Sequence, residues 1–365
     1  MQTPGTGHSS IYGRGGAHLH NAPRLRPTAF GAALLAPLLM MMASAPAPAR
    51  GPLGARDADL QMAVTQAHKR YAADRSGKIP EDVPALTRIS PDLYGVVIVR
   101  VDGKIYEAGD TRIPLVMAAV ATPFTAALVA EQQGTDVLAH KVGVAAGPPT
   151  GAATQPVAAG EGTNNPLDWE GSISTLSLVQ PQKDVDAKWR AILGNFGAFA
   201  GRELTLDDGM YRSATATRAA VLDAAKLLAS QGRLYDDTDA TADLYVKSGA
   251  VTLTARDLAI MAATLANGGI NPVSGSTVVK QDVSQNIQAL VTGAGLRSGT
   301  GKWMYKIGIP AVAGRSGGII AIVPGRMGIA TYSPPLDAAG ISVRGQRAIK
   351  YIGQALQISL YPNWQ

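Results

Sequence analysis

The strongest constraint on how this chain can fold is a pair of hairpin patterns near its two ends, with a helical block between them. The first runs from Tyr94 to Asp110, "YGVVIVRVDGKIYEAGD", where apolar and β-branched runs flank Asp102-Gly103, a dipeptide that favours a two-residue turn. The second pairs Gly318–Val323 with Met327–Tyr332 across Pro324-Gly325. Hairpins need antiparallel partners, and neither alone can bury its apolar faces. The order of strands, helices, strands and a final helix therefore predicts an α+β fold: an antiparallel sheet drawn from both chain ends, flanked by helices, with an inserted, mainly helical subdomain.

The helical signals fill in the rest. A helix is predicted over Leu60–Arg75 and another over Met117–Gln133. In the second, Val120, Phe124 and Leu128 recur at four-residue spacing, and Pro123 favours a start near Ala121. "TARDLAIMAATLANGG" carries a capping box at Thr254 and Asp257 and ends at Gly268-Gly269. A last amphipathic helix covers Arg344–Leu356. Residues 141–164 are rich in Gly, Ala and Pro and read as a surface loop. The expected organisation is a leader over 1–49 and a domain over 50–365. Its sheet part comes from 77–134 and 300–365, and its helical part from 165–299.

The leader is read from basic Arg24 and Arg26, an apolar run from Ala29 to about Ala45, and small residues with prolines after it. That is a signal-peptide layout, with cleavage after Ala45 or Ala49 and Pro46 arguing against the first. It predicts a periplasmic or secreted protein with no stable span after cleavage. An uncleaved anchor is the alternative, because the run approaches the ~18 residues a span needs. Removing 1–49 lowers the formal charge from +6 to +3, too little to argue for nucleic acid. With no cysteine, disulfides, thiolate zinc sites and thiol nucleophiles are excluded.

Several local strings carry a resemblance. They are Gly77-Lys78, "VPAL" at 83–86, "VDGKIYEAGD" at 101–110, "LANGG" at 265–269, Gly308–Pro324 with "GIPA" and "IAIVP", and "SPPLDAAGISVRG" at 333–345. With the element order they resemble the serine-dependent glutaminase family, whose fold is that of the serine β-lactamases and penicillin-binding proteins. The resemblance covers both ends of the domain well and the middle, about 135–245, weakly. It implies an S-x-x-K motif at the start of the helix after the first hairpin. There the serine attacks the side-chain amide of glutamine and the lysine accepts its proton, since a serine hydroxyl needs an adjacent base. Counted from Gly109-Asp110, the serine position falls on Ala119 and the lysine position on Thr122. Neither residue can do that chemistry. Nowhere in the chain does a serine stand three residues before a lysine.

The implied substrate ligands depart in the same direction. In "NPLDWEGS", Asn165 and Pro166 match the family, but a substrate-binding asparagine becomes Trp169. The ammonium-binding glutamate falls on Tyr211, a nearby asparagine on Arg218, and a tyrosine on Arg297. The lactamase-like Lys-Ser-Gly strand reads Val312-Ala313-Gly314, and the valine after it becomes Arg315. One tyrosine survives, Tyr245. The resemblance therefore implies the fold while the residues argue against the reaction.

Other chemistry is weaker. "GRSGG" at 314–318 matches a hydrolase elbow, but a strand follows it and no histidine lies downstream of His140. "RSGTGKW" lacks the spacing of a phosphate loop. No metal-ligand spacing or cofactor motif occurs, so no metal or cofactor is expected. The sequence supports a non-catalytic binding or scaffold protein. Its candidate ligand site comprises Tyr245, Asn165, Arg218, Arg297, Arg315 and Trp169, and clustered guanidinium groups favour a small acidic ligand or a partner's acidic side chain. The plainer account has the arginines pairing with Asp168 and Glu170 around Trp169. A working amidohydrolase with a rearranged site is the second reading. It would use Ser172, Ser174, Ser213, Ser248 or Ser316 with Lys247 or Lys306. A homo-oligomer is left open.

Overall fold

The structure is a computed structural model describing residues 56–81, 85–145 and 165–361. The leader expected over 1–49 and nearly all of the loop expected over 141–164 lie outside the described residues. In chain order the domain opens with α1 (Asp57–Tyr71), β1 (Gly95–Arg100), β2 (Ile105–Gly109) and β3 (Leu115–Val116). The helical block follows: α2 (Thr122–Gln133), α3 (Asp136–Lys141), α4 (Trp169–Ser177), α5 (Val185–Ala200), β4 (Thr205–Leu206), α6 (Asp208–Ser213), α7 (Thr215–Ser230) and α8 (Thr238–Gly249). Then come β5 (Val251–Leu253), α9 (Ala255–Ala266), α10 (Gln281–Ala294), α11 (Thr300–Ile307), β6 (Ala311–Ala313), β7 (Gly318–Val323), β8 (Met327–Tyr332) and α12 (Val343–Leu356).

Both hairpins form, and β1 and β8 pair with each other. The result is an antiparallel sheet in the order β2-β1-β8-β7-β6, made from the two chain ends as expected. The first turn is one residue longer than the two-residue turn expected: Arg100 stands opposite Lys104 and its amide donates to the Lys104 carbonyl at 2.9 Å, which leaves Val101, Asp102 and Gly103 in the loop, with Gly103 at φ +85°, a conformation that favours glycine. The strands are apolar at nearly every position because both faces are covered. Val97, Val99, Ile320, Ile322, Ala330 and Tyr332 face one core; Val96, Ile98, Ile319, Ala321, Val323 and Ile329 face the other. Alternation inside a doubly buried sheet reads as a continuous run.

The second core also takes Leu60, Val64 and Ala67 of α1 and Ala348, Ile349 and Ile352 of α12. The first takes α9, which is buried at every position from Ala255 to Ala266 except Arg256. A helix apolar all round belongs inside. α9 lies directly on β8: a Cβ at Gly328 would stand 2.2 Å from the Ala263 nitrogen. Thus α9, assigned from sequence to the helical part, forms the layer between sheet and helical block. Its capping box is present: the Thr254 hydroxyl accepts from the Asp257 amide at 3.2 Å, and the Asp257 carboxylate accepts from the Thr254 amide at 2.8 Å.

Two expectations shift. The first helix spans Asp57–Tyr71 rather than Leu60–Arg75, starting where Arg56 and Asp59 form a capping arrangement. A second sheet, in the order β3-β5-β4, is absent from the sequence reading because its strands are two or three residues long. It matters because β3 leads directly into the start of α2.

Candidate ligand site

The junction read as aliphatic from Pro114 to Ala121 turns abruptly. After β3 the chain passes Met117, enters a 3-10 turn at Ala118–Ala121 and continues as α2. Ala118 holds φ +47°, a left-handed conformation that costs an alanine about 1–3 kcal/mol. Its neighbours keep it there. A Cβ at Gly314 would lie 3.4 Å from the Ala118 Cβ and 3.1 Å from the Met117 carbonyl oxygen. Gly314 lets the loop after β6 press against the turn.

The turn opens onto a cavity of about 280 Å³. Ala119 and Thr122 both line it, together with Val116, Trp169, Met210 and Tyr245. Thr122 is 8% exposed. Among the described lining residues there is no Asp, Glu, His or Lys; the charged groups are Arg297 and Arg315, both solvent-exposed.

Five of the hydroxyls that line the cavity are committed to backbone carbonyls. Thr122 donates to Ala119 at 3.0 Å, Thr125 to Ala121 at 3.2 Å, and Ser172 to Trp169 at 2.8 Å. Thr175 donates to Gly171 and Ser248 to Leu244, each at 2.7 Å. These are the local back-bonds that Ser and Thr make within helices. None of these protons is directed at a base. Burial raises the Tyr245 phenol pKa above its usual range; a hydrogen bond with Ser172 and the positive charge of Arg297 oppose the rise, and the negative charge of Glu170 adds to it. The Tyr245 ring meets Trp169 edge-on at 5.4 Å between centroids.

Of the six ligand candidates named from sequence, Tyr245, Trp169, Arg297 and Arg315 line the cavity. Asn165 and Arg218 are not among its lining residues. Asn165 is buried, and its side-chain oxygen accepts from the Leu167 amide at 3.0 Å, shaping the turn into α4. Arg218 points to Asp243, 4.0 Å away, and Asp243 also accepts from Tyr211 and pairs with Lys247 at 2.9 Å. These contacts lower the Asp243 pKa despite burial, which acts the other way. The expected cluster of three arginines is therefore two: Arg218 lies toward Asp243 of α8 instead, with its buried Nε making no hydrogen bond. The lining roles of Val116, Met210 and Leu176 carry no sequence signal beyond being apolar.

The serine–lysine pairs of the second reading do not meet. Ser174 donates to Arg233 and Ser213 to Met210, Lys247 is held by Asp243, and Lys306 is exposed. Ser316 is 2% exposed and its hydroxyl has no hydrogen-bond partner. It lies in the turn between β6 and β7, so the "GRSGG" run enters a strand and not the helix an elbow needs.

A two-sided antiparallel sheet beside a helical block, with a cavity at the start of α2, is the architecture of the serine β-lactamase-like glutaminases. The structure superposes on that of the probable glutaminase ybaS with a TM-score of 0.81, at 33% identity, covering 84% of this chain and 99% of that one. The family model for glutaminase matches residues 77–361, and the chain belongs to the glutaminase family. It is 38% identical over 299 residues to glutaminase 2 of Yersinia pestis, covering 82% of this chain and 88% of that protein. It is 37% identical over 314 residues to the glutaminase of Mycobacterium marinum, covering 85% and 97%. A probable glutaminase from Bacillus subtilis, solved in complex with 6-diazo-5-oxo-L-norleucine, shares the fold with a TM-score of 0.74 at 23% identity.

Proposed function

We propose that this protein is a glutaminase-family member that binds a ligand in the family cavity without hydrolysing glutamine. The observation that carries the reading is the chemistry at the start of α2. Ala119 offers a methyl group, Thr122 spends its hydroxyl on the Ala119 carbonyl, and no lysine or carboxylate is among the described residues that line the cavity. A hydroxyl nucleophile without a base is a poor one. Removing nucleophile and base together leaves at most the residual rate that binding and backbone donors give. The ammonium-binding position fits the same reading, since Tyr211 is engaged with Asp243. The leader pattern over 24–45 supports export, so that the protein acts in the cell envelope or outside it.

The test is covalent labelling. Purified protein incubated with a small fluorophosphonate and read by intact-mass spectrometry is expected to stay unmodified. A single stoichiometric adduct mapping to a serine or threonine of the cavity would sink the reading, because only an activated hydroxyl reacts in that way.

A further inference from the structure

We infer that the cavity takes an uncharged aromatic molecule with one hydroxyl group, an alkyl-substituted phenol of about ten non-hydrogen atoms. The inference names a ligand class for the non-catalytic reading given above and rests on that reading. Three observations carry it. The first is the wall: Leu86, Val116, Leu176 and Met210 line it together with Trp169 and Tyr245, whose rings meet edge-on at 5.4 Å between centroids. An aromatic guest gains from such rings and from the methionine sulfur. The second is the hydroxyl groups. Five of the six serines and threonines that line the cavity have given their proton to a backbone carbonyl, so each can still accept a hydrogen bond but no longer donates one to a guest. The third is charge. Arg297 and Arg315 line the cavity and are exposed, but Arg315 and Asp168 are each already engaged, and the negative charge of Glu170 acts on Tyr245 against the positive charge of Arg297.

These features select against ions of either sign. An anion meets charges of both signs, a cation meets no carboxylate among the described lining residues, and each loses hydration on entering apolar walls. Glutamine, with an ammonium and a carboxylate, is disfavoured on both counts. A phenol is uncharged at neutral pH, its pKa being about 10. Its ring displaces water from the walls, and its O–H is the donor that the committed hydroxyl oxygens can still accept. The volume fits as well. A cavity of roughly 150 Å³ lined by apolar groups takes benzene, so about 280 Å³ leaves room for a ring with a short alkyl chain. 4-Propylphenol has that size.

Isothermal titration at pH 7 tests this with four compounds: 4-propylphenol, 4-ethylanisole of the same size but without the O–H, 3-phenylpropanoate and 3-phenylpropylammonium. The phenol is expected to bind most tightly, the ether about fivefold to tenfold more weakly, and each ion at least tenfold more weakly. Raising the salt from about 50 mM to about 500 mM should leave phenol binding unchanged. Ala119→Leu, which puts a larger side chain on the cavity wall, is expected to weaken phenol binding at least tenfold. Either ion binding as tightly as the phenol overturns the assignment, and so does an ether that matches it. Unchanged phenol binding by a folded Ala119→Leu variant shows that the phenol sits elsewhere and overturns it too; if that variant does not fold, the four-compound series on the wild type decides. Ammonia release from glutamine by the wild type would overturn the non-catalytic reading and leave a phenol result standing. No phenol binding in a protein inert to glutamine would overturn the ligand class alone.

Discussion

The double variant Ala119→Ser/Thr122→Lys is expected to melt several degrees below the wild type and to release no ammonia from glutamine. The stability loss comes from the lysine. Position 122 is 8% exposed on a wall that holds no carboxylate among its described residues, and two arginines line the same cavity. An ammonium group there is desolvated with no partner, which depresses its pKa and costs about 2–4 kcal/mol. The sign with pH follows. A folded-state pKa below the unfolded value of ~10.4 makes the penalty full at neutral pH. The penalty shrinks as pH rises past the folded value and vanishes above the unfolded one. Ala119→Ser alone adds a hydroxyl that lines the cavity and should change little. The melting-temperature gap between single and double variants should therefore narrow from pH 7 to pH 10. Turnover stays absent because the substrate side of the site is also changed: Trp169 lines the space, and Tyr211 and Arg218 are drawn to Asp243. A double variant as stable as the wild type, or one that hydrolyses glutamine, would contradict this account.

Replacing Arg344 is expected to cost more than any change in the cavity. Its side chain is wholly buried, an unusual state for a charged group. It donates to the Ser333 hydroxyl at 2.7 Å, to the carbonyls of Asp92 at 3.3 Å and Leu93 at 3.0 Å, and to that of Pro91; its guanidinium also lies over the Tyr94 ring. It thereby fastens the entry to β1 onto the start of α12. Arg344→Met removes the donors and leaves those acceptors in place. The favourable replacement of buried charges by apolar groups requires removing both partners, and that does not apply here. The expected loss is about 3–5 kcal/mol, or roughly 10 °C in melting temperature. Arg344→Lys should recover only part of it, because one ammonium cannot reproduce a planar fork. Thermal denaturation followed by circular dichroism measures both; an Arg344→Met melting temperature within a degree of the wild type would show the clamp to be dispensable.

What could be read from the sequence divides along physical lines. The string from Ser333 to Gly345 is the clearest case. The Asp337 carboxylate accepts from the amides of Ala339 at 2.9 Å and Ile341 at 3.0 Å. Gly340 turns at φ +76°, Ser342 caps α12 through the Gly345 amide at 3.2 Å, and Arg344 follows as the clamp. Each residue answers a local backbone need at a fixed offset, so the spacing is legible without coordinates. The Asp102-Gly103 turn and the Thr254–Asp257 box were readable for the same reason.

The site was legible only in part. Ala119, Thr122, Trp169, Tyr245, Arg297 and Arg315 meet around one cavity because the fold brings together the start of α2 with the turn before it, α4, α8, the turn before α11 and the β6–β7 turn. Arg218 could not be placed from sequence, since where a long side chain points is set by the fold, which here turns it toward Asp243 at 4.0 Å. The role of Asn165 as a turn-shaping group was hidden likewise. Strands of two residues, such as β3 and β4, carry no periodicity to read.

The central claim is that this glutaminase-family fold encloses a cavity that does not hydrolyse glutamine. The most direct test is the initial rate of ammonia release by the purified protein across a series of glutamine concentrations, beside a protein-free control. The account predicts rates indistinguishable from the control at every concentration and independent of the amount of protein. A rate that scales with protein, saturates with glutamine and falls when Tyr245 is changed to Phe would contradict it.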